Sequence, residues 1–261
     1  MSIKIYNEED FVGLRKSGKL AAETLDYITP FVTEGVTTLK LNDLCDEFIN
    51  DNGGISACLG YRGYPKSVCI SVNHVICHGI PSENKILRNG DILNIDVTTI
   101  VDGYFGDTSR MYYVGEPSIK AKRLCEATYN SMMLAIEQVK PGNHVGDIGY
   151  TIQNYIEPLG FSVVRDYCGH GTGKKFHDEP QVSHVGKKGS DVKLEKGMVF
   201  TIEPMINAGD YRTILSKIDN WTVTTRDKSL SAQFEHTMAV TDDGVEIFTL
   251  SPKGYRFPPY F

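Results

Sequence analysis

The chain has one tryptophan in 261 residues, no Cys-x-x-Cys pair, no apolar run long enough to cross a bilayer and no excess of positive charge. Each shortage removes a class of function. A membrane-crossing helix needs roughly 20 mostly apolar residues, and no such stretch is present. The first ten residues, MSIKIYNEED, hold three acids and no apolar core, so no secretory leader is expected. The six cysteines (Cys45, Cys58, Cys69, Cys77, Cys125 and Cys168) are scattered through apolar surroundings, which fits reduced thiols and predicts a cytoplasmic protein without disulfides. Lys and Arg total 27 against 33 Asp and Glu, a net charge of -6, which gives no global attraction to DNA or to an anionic membrane.

What is present is an ordinary globular composition, 41% hydrophobic and 23% charged in 29.1 kDa, enough to bury a core without a stabilising metal or disulfide. Phe11, Leu14, Gly18, Ala21, Leu25, Ile28 and Val32 recur at helical spacing behind the capping residue Asn7, predicting one helix over 8–34 that stops at Gly35. A second helix follows Thr38 and ends at Gly53. The arrangement returns between 118 and 160: Ser118 caps a helix running to Pro141–Gly142, and another, bearing Ile148, Ile152 and Ile156, ends before Gly160. Gly35 and Gly142, Leu41 and Ile148, and Gly53 and Gly160 stand one fixed step of 107 residues apart. The same step carries Asn94-Ile95-Asp96 onto Thr201-Ile202-Glu203. The chain therefore reads as a duplicated helix–helix–strand unit, an α+β fold in one domain with halves at about 8–117 and 118–250, and a functional site where the halves meet. Residues 251–261 fall outside the repeat.

Acids stand where apolar residues surround them. Asp96 lies among Ile92, Leu93, Ile95 and Val97, and the Asp102-Gly103 turn folds that strand back onto one bearing Asp107. Both acids then point to one face, directly opposed or on a diagonal, with side chains roughly 5 to 8 Å apart. Glu203 and Glu235 sit in the apolar strands of the second half, separated by an extra segment of about residues 207–228. The cation nearest in sequence to any of these acids is Arg110, three residues beyond Asp107, and no other Lys or Arg lies in the acid-bearing strands. Four facing carboxylates carry -4, which low dielectric does not tolerate without protons or cations. Two divalent ions cancel that charge, and His170, held between glycines in Cys168-Gly169-His170-Gly171, supplies the imidazole that suits Co, Mn, Fe or Zn.

In Asp96, Asp107, His170, Glu203 and Glu235, in Cys168-Gly169-His170-Gly171 and in Thr201-Ile202-Glu203-Pro204, the sequence resembles the methionine aminopeptidases of the bacterial type I form. The resemblance covers roughly residues 8–250. It implies a pita-bread fold and two divalent ions, with Asp107 and Glu235 bridging, Asp96 chelating one ion, and His170 and Glu203 holding the other. It implies removal of N-terminal methionine from peptides and nascent chains when the second residue is small, with Glu203 shuttling a proton, His78 near the peptide nitrogen and His177 at the oxyanion. Cys58, Tyr61, Tyr64, Cys69, Phe176 and Trp221 match the family's methionine pocket, and the chain's own Met1-Ser2 end fits such a substrate. His74, His144, His184 and His236 read as structural. The lysines of the 184–196 stretch read as a solvated loop, with ribosomal RNA as a possible partner; a monomer is expected. Two alternatives remain at this level: an Xaa-Pro peptidase of the same fold, normally carrying an added N-terminal domain for which residues 1–7 leave no room, and a non-catalytic pita-bread module that binds peptides.

Overall fold

The computed structural model describes residues 3–260. Helix α1 (Glu8–Ile28) starts at a reciprocal cap: Asn7 accepts from the Asp10 amide while the Asp10 carboxylate accepts from the Asn7 amide, and Glu8, Glu9 and Asp10 face the positive helix end. The predicted single helix to Gly35 is corrected here. Pro30 has no amide hydrogen to donate back along the helix, and the α-helix gives way at Thr29 to a short 3-10 turn. After α2 (Thr38–Asp51) come β1 (Ile55–Ser56), β2 (Cys69–Val72), β3 (Val75–Cys77), β4 (Ile92–Val101) and β5 (Tyr104–Tyr113).

The second half follows with α3 (Ile119–Ile136) and α4 (Val145–Ile156). Helix α3 ends five residues short of Pro141, because Gln138 and Val139 close tight turns onto Ala135 and Ile136. Then come β6 (Ser162–Val163), β7 (Gly169–Gly171), β8 (Asp178–Val182), β9 (Val199–Ile202), β10 (Met205–Asn207), β11 (Thr213–Leu215), β12 (Val223–Thr225), β13 (Ser231–Gln233), β14 (His236–Val240) and β15 (Val245–Ile247). Helices α2 and α4 begin at Thr38 and Val145, and strands β4 and β9 at Ile92 and Val199, each pair separated by the 107-residue step of the sequence.

All strand pairs are antiparallel. Strand β4 pairs with β1, β2 and β5, and a second sheet runs β15-β14-β9-β7-β8. Two three-stranded sheets, β13-β10-β6 and β11-β12-β3, complete the set. Alternation along the central strands explains the layering. Leu93, Ile95 and Val97 of β4 pack with Leu25, Leu41 and Ile49 of the helices, while Asn94, Asp96 and Thr98 point the other way. In the second half Phe200 and Ile202 of β9 and Met238 of β14 pack with Leu124, Ile148 and Ile152 in the same manner. The polar faces of both sheets are thus turned toward one cavity. The two sheets join where Ser109 and Glu235 exchange backbone hydrogen bonds.

The extra segment near 207–228 forms the β11–β12 hairpin and lies against β3, which brings Trp221 to the cavity. The segment after Thr249 also has a place. Ser251 donates to the Asp26 carboxylate, the Lys253 amide donates to the same group, and the Tyr260 hydroxyl donates to the Met111 carbonyl at 2.7 Å. Asp26 is itself in a buried ion pair with Arg110. Among the described residues no helix is long and apolar enough to cross a membrane. The Met1-Ser2 end, expected as a substrate, lies outside the described residues.

Candidate metal centre

The Asp102–Gly103 turn, with both residues at positive φ, is the two-residue type that matches strand twist and fixes the β4–β5 register. Asp96 stands opposite Ser109 and Asp107 opposite Thr98, so the two acids occupy a diagonal of one face. Thr98 donates to Asp107 Oδ1 at 2.7 Å. From the second sheet, Glu203 follows β9 and Glu235 precedes β14. His170 is central in β7, where the flanking glycines are obligatory: a Cβ on Gly169 would meet the Thr201 carbonyl oxygen at 2.4 Å, and one on Gly171 the Glu179 carbonyl oxygen at 2.0 Å.

Oxygen and nitrogen ligand atoms of Asp107, His170 and Glu235 lie within 4.8 Å of one another. His170 Nε2 is 3.6 Å from Asp107 Oδ2 and 3.6 Å from Glu203 Oε1. Its Nδ1 lies 3.1 Å from the Gly171 carbonyl, which assigns the ring proton to Nδ1 and leaves the Nε2 lone pair facing the acids. Asp96 Oδ1 is buried with no hydrogen-bond partner. Among the described residues no Lys or Arg pairs with any of the four acids; Arg110 turns to Asp26 instead.

Burial first, and then the neighbouring carboxylates, push the Asp96, Glu203 and Glu235 carboxyls well above their ordinary range. Burial raises Asp107 to about 7, against the opposing pull of the Thr98 hydroxyl. The same burial lowers His170 and His78 to about 4, so both are neutral near pH 7. Concentrated anionic oxygens, one orphaned buried carboxylate oxygen and one presented imidazole nitrogen form a donor set that fits divalent cations of the Mn, Fe, Co and Zn group.

Every site residue singled out in the sequence lines one cavity of about 620 Å³. At one end lie the five ligand candidates Asp96, Asp107, His170, Glu203 and Glu235. Beside them, buried Cys58, Tyr64 and Cys69 form an apolar cluster with Phe176 and Trp221. Tyr61 packs on Phe176 with ring centroids 4.7 Å apart, and Tyr64 meets Trp221 edge-on at 5.1 Å. His78, at φ 56° after β3, sets its ring against Trp221 and Tyr167 at 5.9 and 5.8 Å. His177 is exposed at the mouth, its ring 4.1 Å from that of His170, and partial desolvation together with the charges around it holds its pKa below the ordinary value.

His74, His144, His184 and His236 stay out of the cavity. His236 bonds Thr249 at 2.9 Å, and His144 caps α4. His184 Nε2 accepts from the Glu203 amide at 3.2 Å, a supporting role that its sequence context gives no sign of. Also missed are Thr201 and Gln233. The Thr201 hydroxyl accepts from the His170 amide and donates to Glu203 Oε1 at 2.8 Å, and Gln233 donates to Glu203 Oε2 at 3.1 Å. The available signal for Thr201 is its position two residues before Glu203 on the same strand face.

Comparisons with known proteins bear on this arrangement. The profile of metallopeptidase family M24 matches residues 12–242. A methionine aminopeptidase of Rickettsia prowazekii is 62% identical over 260 residues, covering 100% of both chains, and one of Escherichia coli is 55% identical over 251 residues, covering 96% of this chain and 95% of that one. The crystal structure of the Rickettsia prowazekii methionine aminopeptidase superposes with a TM-score of 0.94, covering 95% of this chain and 100% of that one. A prolidase from Pyrococcus horikoshii, 23% identical, shares the fold at a TM-score of 0.73 over 94% of this chain and 63% of its own. By profile, identity and superposition the chain belongs to metallopeptidase family M24 and, within it, to the methionine aminopeptidases.

Proposed function

We propose that this chain is a metal-dependent exopeptidase that removes the N-terminal methionine from peptides and nascent proteins whose second residue is small. One observation carries the reading: four buried carboxylates and His170 converge at the end of a sulfur- and aromatic-lined slot. We further read residues 1–261 as one catalytic domain of two halves, because each half contributes acids to the same centre.

In this reading two divalent ions would be held by the five side chains, with Asp107 and Glu235 shared between them, Asp96 serving one site and His170 with Glu203 the other. Such ions would supply Lewis acidity, toward the scissile carbonyl and toward the attacking water. The remaining work belongs to the chain. The slot of Cys58, Tyr64, Cys69 and Trp221, edged by Tyr61 and Phe176, takes the methionine side chain and excludes water. Glu203, whose Oε1 and Oε2 are oriented by Thr201 and Gln233, takes the proton lost by the attacking water and returns it to the leaving amine. His78, neutral through burial, approaches the peptide nitrogen. His177 donates to the oxygen that gains charge as the carbonyl carbon becomes tetrahedral.

The test is reconstitution. Protein stripped with chelator is given Mn, Fe, Co or Zn singly, and methionine release from Met-Ala-Ser is followed. Release is expected only after add-back; a stripped protein that works equally well without any of the four ions overturns the reading.

A further inference from the structure

Asp107 and Glu235 come from different sheets, so something must hold those sheets in register. The seam is short. Ser109 and Glu235 exchange backbone hydrogen bonds, the Ser109 amide to the Glu235 carbonyl at 3.4 Å and the Glu235 amide to the Ser109 carbonyl at 3.1 Å, and the Thr108 hydroxyl donates to the same Glu235 carbonyl at 2.6 Å. In an antiparallel ladder the next hydrogen-bonded pair would be Asp107 with Thr237. That pair is not made by backbone. The Thr237 amide donates to Thr249 Oγ1 at 3.1 Å, and its carbonyl accepts from the Phe248 amide at 3.0 Å. The edge of the strand therefore changes partner between Glu235 and Thr237, from β5 to the segment after β15.

The Thr237 side chain fills the resulting gap. Its Oγ1 accepts from the Asp107 amide at 3.1 Å and donates to the Asp107 carbonyl at 2.7 Å. One hydroxyl thus replaces both backbone bonds of the missing rung, in a seam where Thr237 is fully buried and Asp107 nearly so. Only a group that donates and accepts from one atom can do this, which a hydroxyl does and a methyl or carboxylate does not. The hydroxyl touches no substrate-facing atom; it acts on the backbone of Asp107.

We propose that Thr237 is a positioning residue for the metal centre, splicing the two sheets so that Asp107 and Glu235 face each other at ligand distance. The proposal rests on the reading that these acids hold divalent ions. Without the hydroxyl, the Asp107 amide and carbonyl lose their partners and the strand carrying the carboxylate loosens at that point.

The experiment compares Thr237→Val, which keeps the branched shape, with Thr237→Ser, which keeps the hydroxyl, in two measurements on purified protein: Mn binding by titration calorimetry, and amide hydrogen exchange at Asp107 in the metal-free state. The valine variant is expected to bind Mn about 10-fold or more weakly and to exchange the Asp107 amide about 10-fold or more faster, with serine within about threefold of wild type in both. Should valine prevent folding, Thr237→Cys, a poor hydrogen-bonding group of similar size, takes its place against serine. A valine or cysteine variant that matches serine in Mn affinity and in Asp107 exchange overturns the proposal. Asp107→Asn is titrated alongside: if it binds Mn as tightly as wild type, the ligand assignment itself fails, a result distinct from failure of the splice.

Discussion

His170 Nε2 stands 3.6 Å from Asp107 Oδ2, too far for a hydrogen bond and with the imidazole proton committed to the other nitrogen. Once Asp107 is ionised, two acceptors face each other with no hydrogen bond between them. Such a pair is satisfied by a cation between them, and the neighbouring Glu203 and Glu235 carboxylates multiply the demand. Asp107→Asn keeps the volume of the side chain and removes its charge. It is expected to lower metal content and to reduce turnover by at least about 100-fold while leaving the circular dichroism spectrum unchanged. The check is metal analysis beside the peptide assay; near-normal activity after metal add-back would contradict the placement of Asp107 at the centre.

The same crowding sets a pH dependence. Carboxyls raised by burial and by one another, Asp107 to about 7 and the other three higher than their ordinary values, hold protons in the folded, metal-free protein that the unfolded chain has released. Where the native state binds more protons, stability falls as pH rises. Buried neutral histidines, His170 and His78 near 4, act oppositely, but only below their ordinary value of 6.5. From pH 6.5 to 8 the carboxyls therefore decide the sign. The melting temperature of chelated protein should fall across that window, whereas metal-loaded protein should show a flatter profile. Calorimetry in buffers of different ionisation enthalpy should also register proton release on metal binding at pH 7. Absence of proton release there would mean that the acids were already ionised.

His177 and His236 separate chemistry from packing. His177 opens to the cavity mouth beside His170, while His236 is buried against Thr249 on the far side of its strand. His177→Ala should lower kcat by about 100-fold with a smaller change in KM, since a donor to a developing oxyanion acts in the transition state. His236→Ala should keep kcat within about threefold and instead lower the melting temperature by roughly 2–8 °C. Equal kinetic damage from both would remove the role given to His177.

The acids of the candidate centre were legible because each breaks the local pattern: Asp96 among isoleucines and Glu203 at the matching place in a repeat need partners that the neighbouring sequence does not supply. The Asp-Gly turn placed Asp96 and Asp107 on one face, but whether they oppose or lie diagonally depended on the register, which pairs Asp96 with Ser109. The helical pattern through Val32 ran past Pro30, whose local cost ended α1 sooner. Thr201, Gln233 and Thr237 were not legible as supports. A Thr or Gln on a strand has the same pattern whether it meets water or a ligand's backbone, and the Thr237 partner lies 130 residues away. The final segment was silent for a similar reason, since Ser251 and Tyr260 act on Asp26 and Met111 from the other end of the chain.

Selectivity follows from the slot. Tyr64 shares its hydroxyl proton with the Val68 and Gly79 carbonyls, so its polar end is occupied and its ring faces the cavity with Cys58, Cys69 and Trp221. Sulfur beside aromatic rings favours a thioether, and an unbranched side chain reaches the end of such a slot where one branched near the backbone meets its walls. A lost or misplaced methylene in a packed apolar pocket costs about 1–3 kcal/mol, about 10- to 200-fold in kcat/KM. On the proposed reading the second residue of the substrate comes close to the metal centre, where a small side chain is accepted and a long one has little room. Tripeptides beginning Met-Ser, Leu-Ser and Met-Glu, compared under identical metal loading, should rank Met-Ser first, with the other two at least about 10-fold slower. A Leu-Ser substrate cleaved as well as Met-Ser would refute the assignment of Cys58, Tyr64, Cys69 and Trp221 to the methionine side chain, and efficient cleavage of Met-Glu would refute the requirement for a small second residue.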